Sequence, residues 1–291
     1  MLTKVIMLVQ KNIIHALQSL SDDLAAHKVE LAIYVGGNTY EEIQTKSEPT
    51  EFIQAEQETL YITDSETVYH ALRQQGRYVL PCRHGGNGNA NFTGALYVIE
   101  QIEEIGYETV DMAYRRLAGL PWEILTTKRC VIRETIPEDV DSFYQIYAEP
   151  DVTRYMEELY ADRDEEIAYI EDYRDSVYRF YGYGMWTVQL KDGTVIGRAG
   201  ISWREGFELP ELGFVIGVPW QRQGYAYEVC SAILTYARNE LNMAQIQALV
   251  MAGNEKSSAL CRKLGFQYVE DIALDGALYA RMVRRDGEMC D

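Results

Sequence analysis

The hydrophobic and polar positions of the first 125 residues alternate between helical and extended periods. Apolar residues recur at helical spacing over 12–27, and a short apolar run at 29–35 is closed by Gly36-Gly37. The same reasoning predicts strands over 60–63 and 78–81 and helices over 66–75, 95–105 and 107–118. Strand, helix and strand in succession predict a small α/β layer with parallel strands.

A second pattern begins near residue 130, after a boundary placed in 121–128. It predicts strands over 130–133, 185–190, 194–203, 210–218, 245–251, 266–274 and 277–284, and helices over 138–148, 164–180, 224–241 and 255–264. Asp192-Gly193 between two alternating strands is a hairpin signal. The chain of 291 residues is therefore predicted to form two domains, 1–125 of unknown role and 126–291.

Charge and composition narrow the class of protein. The net charge is −18, and both predicted domains are acidic, which excludes the basic surface that nucleic-acid binding needs. The apolar opening over 1–10 is interrupted by Lys4 and is followed by no small-residue cleavage site, so a signal peptide is not expected. No stretch of the sequence is apolar over enough residues to span a bilayer. The cysteines are odd in number and scattered, so we expect reduced thiols in a cytoplasmic protein. They are Cys82, Cys130, Cys230, Cys261 and Cys290.

The segment 211–226 carries the clearest chemical signal. An apolar strand runs into a polar turn, which opens an amphipathic helix after Gly224. Free amides and the helix dipole at such a helix start bind phosphate, and a glycine lets the backbone come close to the anion. No Gly-Lys-Ser/Thr is present, so a nucleoside-triphosphate loop is excluded.

This segment resembles the GNAT superfamily of N-acetyltransferases. Its pyrophosphate signature, Gln/Arg-x-x-Gly-x-Gly/Ala, matches Gln221-x-x-Gly224-x-Ala226. Asn254-x-x-Ser257, Lys263-Leu-Gly-Phe266 and the preceding hairpin at 186–203 add to the likeness. Together they resemble the branch that contains the ribosomal-protein alanine N-acetyltransferases.

The resemblance implies a fold, a cofactor and a reaction. The fold is a mixed β-sheet that splays in the middle and is flanked by helices. The co-substrate is acetyl-CoA, with no metal, and its pantetheine arm pairs with the strand over 211–218. The acceptor is a primary amine of a small molecule or peptide. The implied cofactor-binding residues are Ile216, Val218, Gln221, Arg222, Gln223, Gly224, Tyr225, Ala226 and Asn254.

Three residues are candidates for proton transfer. Glu211 is the candidate general base, because an ammonium must lose a proton before it attacks; alternatively it is solvated or paired with Arg198. Cys261 stands where many family members carry the tyrosine that protonates the leaving thiolate. Ser257, one turn earlier, is the alternative donor, or else a helix cap. Asn254 could likewise cap that helix.

Other features allow two interpretations. Tyr181, Tyr183, Met185 and Trp186 could wall the acceptor pocket or pack in the core. The acidic run over 157–166 could steer a cationic amine or be a solvated helix face.

Asp64, with Glu66, could be a phosphatase-type nucleophile, although helix capping by Thr63-Asp64-Ser65-Glu66 explains it more simply.

Two alternatives to the acetyltransferase function stay open. One is an acyl-CoA-binding module without turnover; the other is a bifunctional protein with a separate N-terminal hydrolase or sensor activity.

Overall fold

The computed structural model describes residues 1–10, 13–14, 17–35, 58–156, 158–274 and 276–285. Within it the chain forms two compact units, Met1–Trp122 and Glu123–Asp291. The predicted turn at Gly36-Gly37 and the start of the first predicted helix at residue 12 lie outside the described residues.

The N-terminal unit is built on a four-stranded parallel sheet in the order β2-β1-β3-β4. One face packs against α1 and α3, and the other packs against α2. The strands are β1 Lys4–Val9, β2 Glu30–Val35, β3 Thr59–Thr63 and β4 Tyr78–Pro81. The helices are α1 Gln18–Ala26, α2 Glu66–Gln74 and α3 Tyr107–Leu117.

Two features of this unit differ from the sequence prediction. β1, which pairs with both β2 and β3, was not predicted, because a strand buried on both faces is a continuous apolar run without alternation. The prediction of a helix over 95–105 is wrong, because this stretch holds a single 3₁₀ turn, Ile102–Glu104. Ile99 instead forms a bridge with Cys82 beside β4, so tertiary pairing overrides the local helical preference.

The C-terminal unit is built on an eight-stranded sheet in the order β11-β12-β10-β9-β8-β7-β6-β5. All neighbouring strands are antiparallel except β9 and β10. The strands are β5 Glu123–Thr126, β6 Cys130–Arg133, β7 Met185–Leu190, β8 Val195–Ser202, β9 Glu211–Ile216, β10 Gln245–Met251, β11 Gln267–Leu274 and β12 Ala277–Arg285. β5 lies within the predicted boundary at 121–128 and was not predicted as a strand, but it pairs with β6 and belongs to this sheet.

Helices cover both faces of the second sheet. α4 and α5 pack on the face that Val215 of β9 presents, and α7 and α8 pack on the other. The helices are α4 Val140–Tyr147, α5 Pro150–Thr153, α6 Arg163–Tyr173, α7 Tyr225–Asn239 and α8 Glu255–Lys263. A π-helical turn, Arg174–Tyr178, and a short helix, Arg179–Tyr181, extend α6.

The sheet opens between β9 and β10. Within these two strands a single pair of residues is in register, Gln247 with Glu211, near the start of each strand. Beyond that pair the strands carry no further ladder, so the gap widens toward Ile216 and Met251. This splayed, mixed sheet confirms the predicted fold class. Among the described residues, no helix is both long and apolar enough to cross a membrane.

Candidate active site

The loop at the end of β9 has an unusual backbone conformation. Arg222 and Gly224 both have positive φ, 58° and 84°, and α7 begins directly after them. The first helical hydrogen bond runs from Glu228 N to Gly224 O over 3.0 Å. The amides of residues 225–227 therefore precede the helical ladder, and the positive end of the helix dipole lies at the same place. The predicted pyrophosphate residues 221–226 thus lie at a helix start of the kind that can bind phosphate.

The side chains of this loop stabilise its shape. Gln221 Nε2 donates to Ile216 O over 2.9 Å, which ties the loop back to the end of β9. Gln223 Nε2 donates to Pro219 O over 2.7 Å. Both glutamine side chains therefore act within the loop, as does the Gln221 amide, which donates to Val218 O over 3.2 Å.

A contact that the sequence analysis missed holds the start of α7. Arg129 donates from Nε to Glu228 Oε2 over 2.7 Å and from Nη1 to Gln223 O over 3.0 Å. Its guanidinium carbon lies 3.9 Å from the centre of the Tyr225 ring. Thr127 Oγ1 also donates to Glu228, over 2.8 Å. No local signal predicts these contacts, because they join residues about a hundred positions apart.

Glu228 remains ionised in this cluster. Partial burial opposes its charge, but hydrogen bonds from Thr127 and Arg129 outweigh burial and lower the pKa of the carboxyl group. The positive charge of Arg129 compensates a carboxylate that would otherwise repel an anion at the helix start.

The open edge of β9 presents backbone groups to the gap. Gly217 N donates to Ile196 O over 2.8 Å, so the pair Gly197–Ile216 is of the non-hydrogen-bonded type. The N–H and C=O of Ile216 therefore point away from β8, and alternation gives Phe214 the same direction. β9 ends at Ile216, so the predicted extension of the strand to Val218 is wrong: Val218 begins a 3₁₀ turn and is 37% exposed.

The opposite wall of the gap is the loop between β10 and α8. Asn254 caps α8, because its Oδ1 accepts from Ser257 N over 3.1 Å. Tyr155, which follows α5, donates from its hydroxyl to Gly253 O over 3.1 Å, and Lys256 pairs with Asp151 at 3.4 Å. These contacts connect the α5 region to the wall of the gap.

The comparisons with known proteins agree with this geometry. The family model described as "Acetyltransferase (GNAT) domain" matches residues 129–267. Residues 129–267 form a GNAT acetyltransferase domain. Members of this family are acyltransferase enzymes that use acetyl-CoA.

Two relatives and one solved structure illustrate the likeness. The chain is 28% identical over 175 residues to the [ribosomal protein uS5]-alanine N-acetyltransferase of Escherichia coli, covering 55% of this chain and 88% of the relative. It is 28% identical over 151 residues to the uncharacterized N-acetyltransferase YoaA of Bacillus subtilis, covering 50% of this chain and 82% of the relative. A ribosomal L7/L12 alpha-N-protein acetyltransferase structure aligns with a TM-score of 0.50 and 12% identity, over 57% of this chain and 95% of that one, and shows the fold alone.

Glu211 of the GNAT domain lies where β9 and β10 separate. Its Oε2 accepts from Arg204 Nε over 3.0 Å, so its ion-pair partner is Arg204 rather than the predicted Arg198. The pair is partly exposed, since the Arg204 side chain is 38% accessible. The guanidinium of Arg204 therefore lies beside the carboxylate that is the candidate base.

The two candidate proton donors lie in different surroundings. Cys261 is fully buried in the core, and burial raises the pKa of its thiol to about 12. A buried thiol cannot reach a leaving group in the gap, so the proposed catalytic role of Cys261 does not fit its position. Ser257 is half-buried in the first turn of α8. It is not the cap of that helix, which is Asn254.

The four residues that were candidates for the wall of the acceptor pocket do not lie together. Trp186 is fully buried and packs against Tyr236 in the core, so it cannot line a pocket. Met185 covers Gly213, where a Cβ atom would lie 2.9 Å from its Sδ. Tyr183 accepts a hydrogen bond from Trp203 Nε1, and Tyr181 is half-exposed.

The acidic run does not form one exposed face. Glu166 is buried, and Asp162 caps α6 by accepting from the amides of Asp164 and Glu165. Glu157 lies outside the described residues.

Asp64 of the N-terminal unit is not a helix cap. That role belongs to Ser65, whose side chain accepts from Val68 N. Asp64 is 2% exposed and accepts from Gln10 N at 2.9 Å and from His84 Nε2 at 3.0 Å. Within the described ranges, no three His, Cys, Asp or Glu side chains gather where they could hold a metal ion.

Proposed function

We propose that the GNAT domain transfers an acetyl group from acetyl-CoA to a primary amine of a small molecule or of a protein N-terminus. The observation that carries the proposal is the loop at the end of β9, where Arg222 and Gly224 have positive φ directly before the start of α7, at the strand that borders the open gap of the sheet. The pyrophosphate binds these amides and those of residues 225–227. Arg129 and Glu228 keep the loop in this shape.

The pantetheine arm pairs with the open edge of β9. The backbone groups of Phe214 and the N–H of Ile216 face the gap, so they are the hydrogen-bond partners that we assign to its amides, whereas Ile216 O already accepts from Gln221 Nε2. Asn254 Oδ1 is occupied by the helix cap, and this leaves its Nδ2 for the pantetheine carbonyls. The thioester then lies toward the start of β9, near Glu211.

The reaction is a direct acyl transfer. The amine nitrogen attacks the thioester carbonyl carbon, the new C–N bond forms, and the C–S bond breaks. Glu211, directly or through a water molecule, accepts the proton that the attacking nitrogen loses. Coenzyme A leaves as a thiolate and takes a proton from Ser257 or from water. The Escherichia coli relative bears the name of a protein-alanine N-acetyltransferase, which supports an α-amine as acceptor.

We also propose a cytoplasmic location. Four cysteines lie in the described part of the chain, and all four are buried and unpaired, which suits a reducing compartment.

The proposal is tested in two steps. Binding of coenzyme A should raise the melting temperature, since a ligand at 100 times its Kd adds about 2.7 kcal/mol to the free energy of unfolding. Release of coenzyme A thiol from acetyl-CoA is then followed over a panel of amines and N-terminal peptides. Binding without turnover on every acceptor would instead support the acyl-CoA-binding module.

A further inference from the structure

A buried positive charge in the GNAT domain lacks a counter-ion. Arg198 of β8 is 9% exposed, and its guanidinium lies 4.9 Å from the centre of the Phe143 ring. Its Nε is buried without a hydrogen-bond partner. Within the described ranges, no carboxylate forms an ion pair with it. An arginine stays charged at all working pH values, so this charge cannot be relieved by loss of a proton.

The groups around Arg198 do not supply the missing negative charge. Burial, as the main cause, raises the pKa of Tyr169, Tyr173 and Tyr178, so all three phenols are neutral. Tyr173 accepts from Met185 N, and Tyr178 donates to Met185 O. An isolated buried charge is costly, and a ligand anion in the site would compensate it.

Arg198 lies on the same face of the sheet as the candidate base. Glu211 is opposite Ser202 in the β8–β9 ladder, and Ser202 is four residues after Arg198, so alternation directs all three side chains to one face. Four residues of a strand span about 13 Å. An acceptor bound between these two side chains would be a small molecule or a short peptide segment.

The surface between Arg198 and Glu211 carries few side chains. Gly200 and Gly213 stand opposite each other on this face, and the thioether of Met185 lies over Gly213. The backbone there is covered by a flexible apolar group and not by a charged one. An acceptor that lies between the two charges would therefore contact the Met185 side chain.

Glu166 is a buried carboxylate near this cluster that also has an unpartnered atom. Its Oε1 has no hydrogen bond, while its Oε2 accepts from Tyr160 N over 3.0 Å. Both Arg198 and Glu166 act on the pKa of Tyr169, yet no ion pair joins the two within the described residues. Glu166 is thus the internal rival for the counter-ion, and the experiment must separate it from a ligand.

We infer that Arg198 is a specificity residue that binds a carboxylate group of the acceptor amine. The planar guanidinium matches the two oxygens of a carboxylate. The single positive charge of Arg198 fits a monoanion better than a phosphate dianion. This inference rests on the proposed function, because it names the substrate class of the same site.

The test uses matched acceptors that differ in charge alone. One set contains ω-amino acids of two to six carbons and their amides, which also serve as a ruler for the distance between amine and carboxylate. A second set contains peptides Ala-Glu-Gly and Ala-Gln-Gly with amidated C-termini. A phosphate-ester amine tests the dianion. We expect a higher kcat/KM for the carboxylate member of at least one pair.

Variants of the full chain then show which residue causes the preference for the carboxylate acceptor. Arg198→Met, which keeps an unbranched apolar side chain, should lower kcat/KM for the carboxylate acceptor about 10²-fold or more and leave the matched amide within a few-fold. Arg198→Lys should recover part of the loss, because it keeps the charge without the fork. Glu166→Gln should keep the preference for the carboxylate. The melting temperature of Arg198→Met should not fall, because the variant removes an uncompensated charge.

The outcomes separate this inference from the proposed function. If Arg198→Met loses activity equally on both members of each pair, or if Glu166→Gln abolishes the preference, Arg198 has a structural role and the inference fails. If no amine is acetylated, binding of the same carboxylates to the coenzyme A-saturated protein is measured by calorimetry. Binding to wild type and not to Arg198→Met then supports the carboxylate site although the proposed reaction fails. Absence of binding to both overturns the inference as well.

Discussion

Arg129 Nε and Glu228 Oε2 lie 2.7 Å apart, although 99 residues separate them along the chain. The pair connects the start of the first strand of the GNAT domain to the first turn of α7. Glu228 also accepts from Thr127 and from the Arg129 amide, so one carboxylate organises three donors beside the phosphate-binding loop. The loop geometry therefore depends on a contact outside the loop.

Replacement of this carboxylate should destabilise the domain. We expect Glu228→Gln to lower the free energy of unfolding by about 1–3 kcal/mol, because partly buried donors lose a charged acceptor. The matched control is Asp141→Asn, which breaks the exposed ion pair with Arg163 and should change the melting temperature little. Equal effects of the two substitutions would show that Glu228 has no special role.

The same pair predicts that the stability of the domain depends on pH. The folded-state pKa of Glu228 is lowered, so its contribution is fully present above its unfolded pKa, about 4.3, and is lost as pH falls through the folded value. The difference in melting temperature between wild type and Glu228→Gln should be constant at neutral pH and narrow below about pH 4. Melting curves from pH 3 to 8 measure it. A difference that grows on acidification would contradict the assignment.

The phosphate loop can be tested at Gly224. Its φ of +84° disfavours any side chain, and a Cβ atom would lie 3.6 Å from Arg129 Nη2. We expect Gly224→Val to abolish the thermal shift by coenzyme A. Gly193→Val is the control, since Gly193 has φ of +92° in a hairpin with open space around it. Both variants carry backbone strain, so the comparison separates the effect of strain from the effect on the loop. Normal coenzyme A binding by Gly224→Val would exclude this loop as the pyrophosphate site.

Sequence reasoning succeeded where the signal is local. The strand, the loop and the helix around Gly224 are consecutive, and apolar periodicity with one glycine was enough to predict them. It failed where pairing decides the structure. β1 lacked alternation, Ile99 took an extended partner in place of a helix, and the contact of Arg129 with Glu228 spans most of the domain. The burial of Cys261 likewise depends on which face of α8 meets the core.

The candidate base can be tested through pH. Glu211→Gln should lower kcat at pH 7 and approach wild type as pH rises, because more of the acceptor amine is then already neutral. The control is Glu205→Gln, an exposed carboxylate in the same connection between strands. The test requires a saturating acceptor and a rate limited by chemistry. Wild-type turnover of Glu211→Gln at pH 7 would remove Glu211 from the mechanism and leave the pair with Arg204 as a structural contact.

The last prediction separates the two candidate proton donors. A coenzyme A thiol should ionise near the pKa of a cysteine, about 8.5, so its thiolate leaves without much assistance. General acid catalysis is worth about 10²–10⁴-fold at most sites, and we expect the low end or less here. Ser257 is half-buried at the start of α8, next to Asn254, and its hydroxyl donates better than a thiol.

Cys261 lies one turn further along α8, inside the core, with the pKa of its thiol raised to about 12 by burial. Ser257→Ala should therefore slow turnover with little change in melting temperature. Cys261→Ala should do the reverse, since it leaves a small cavity and spares the chemistry. Initial rates and melting curves of both variants decide the point. If Cys261→Ala is fully folded and has the lower turnover of the two variants, Ser257 is not the donor. If neither variant is slower than wild type, water or the acceptor protonates the thiolate.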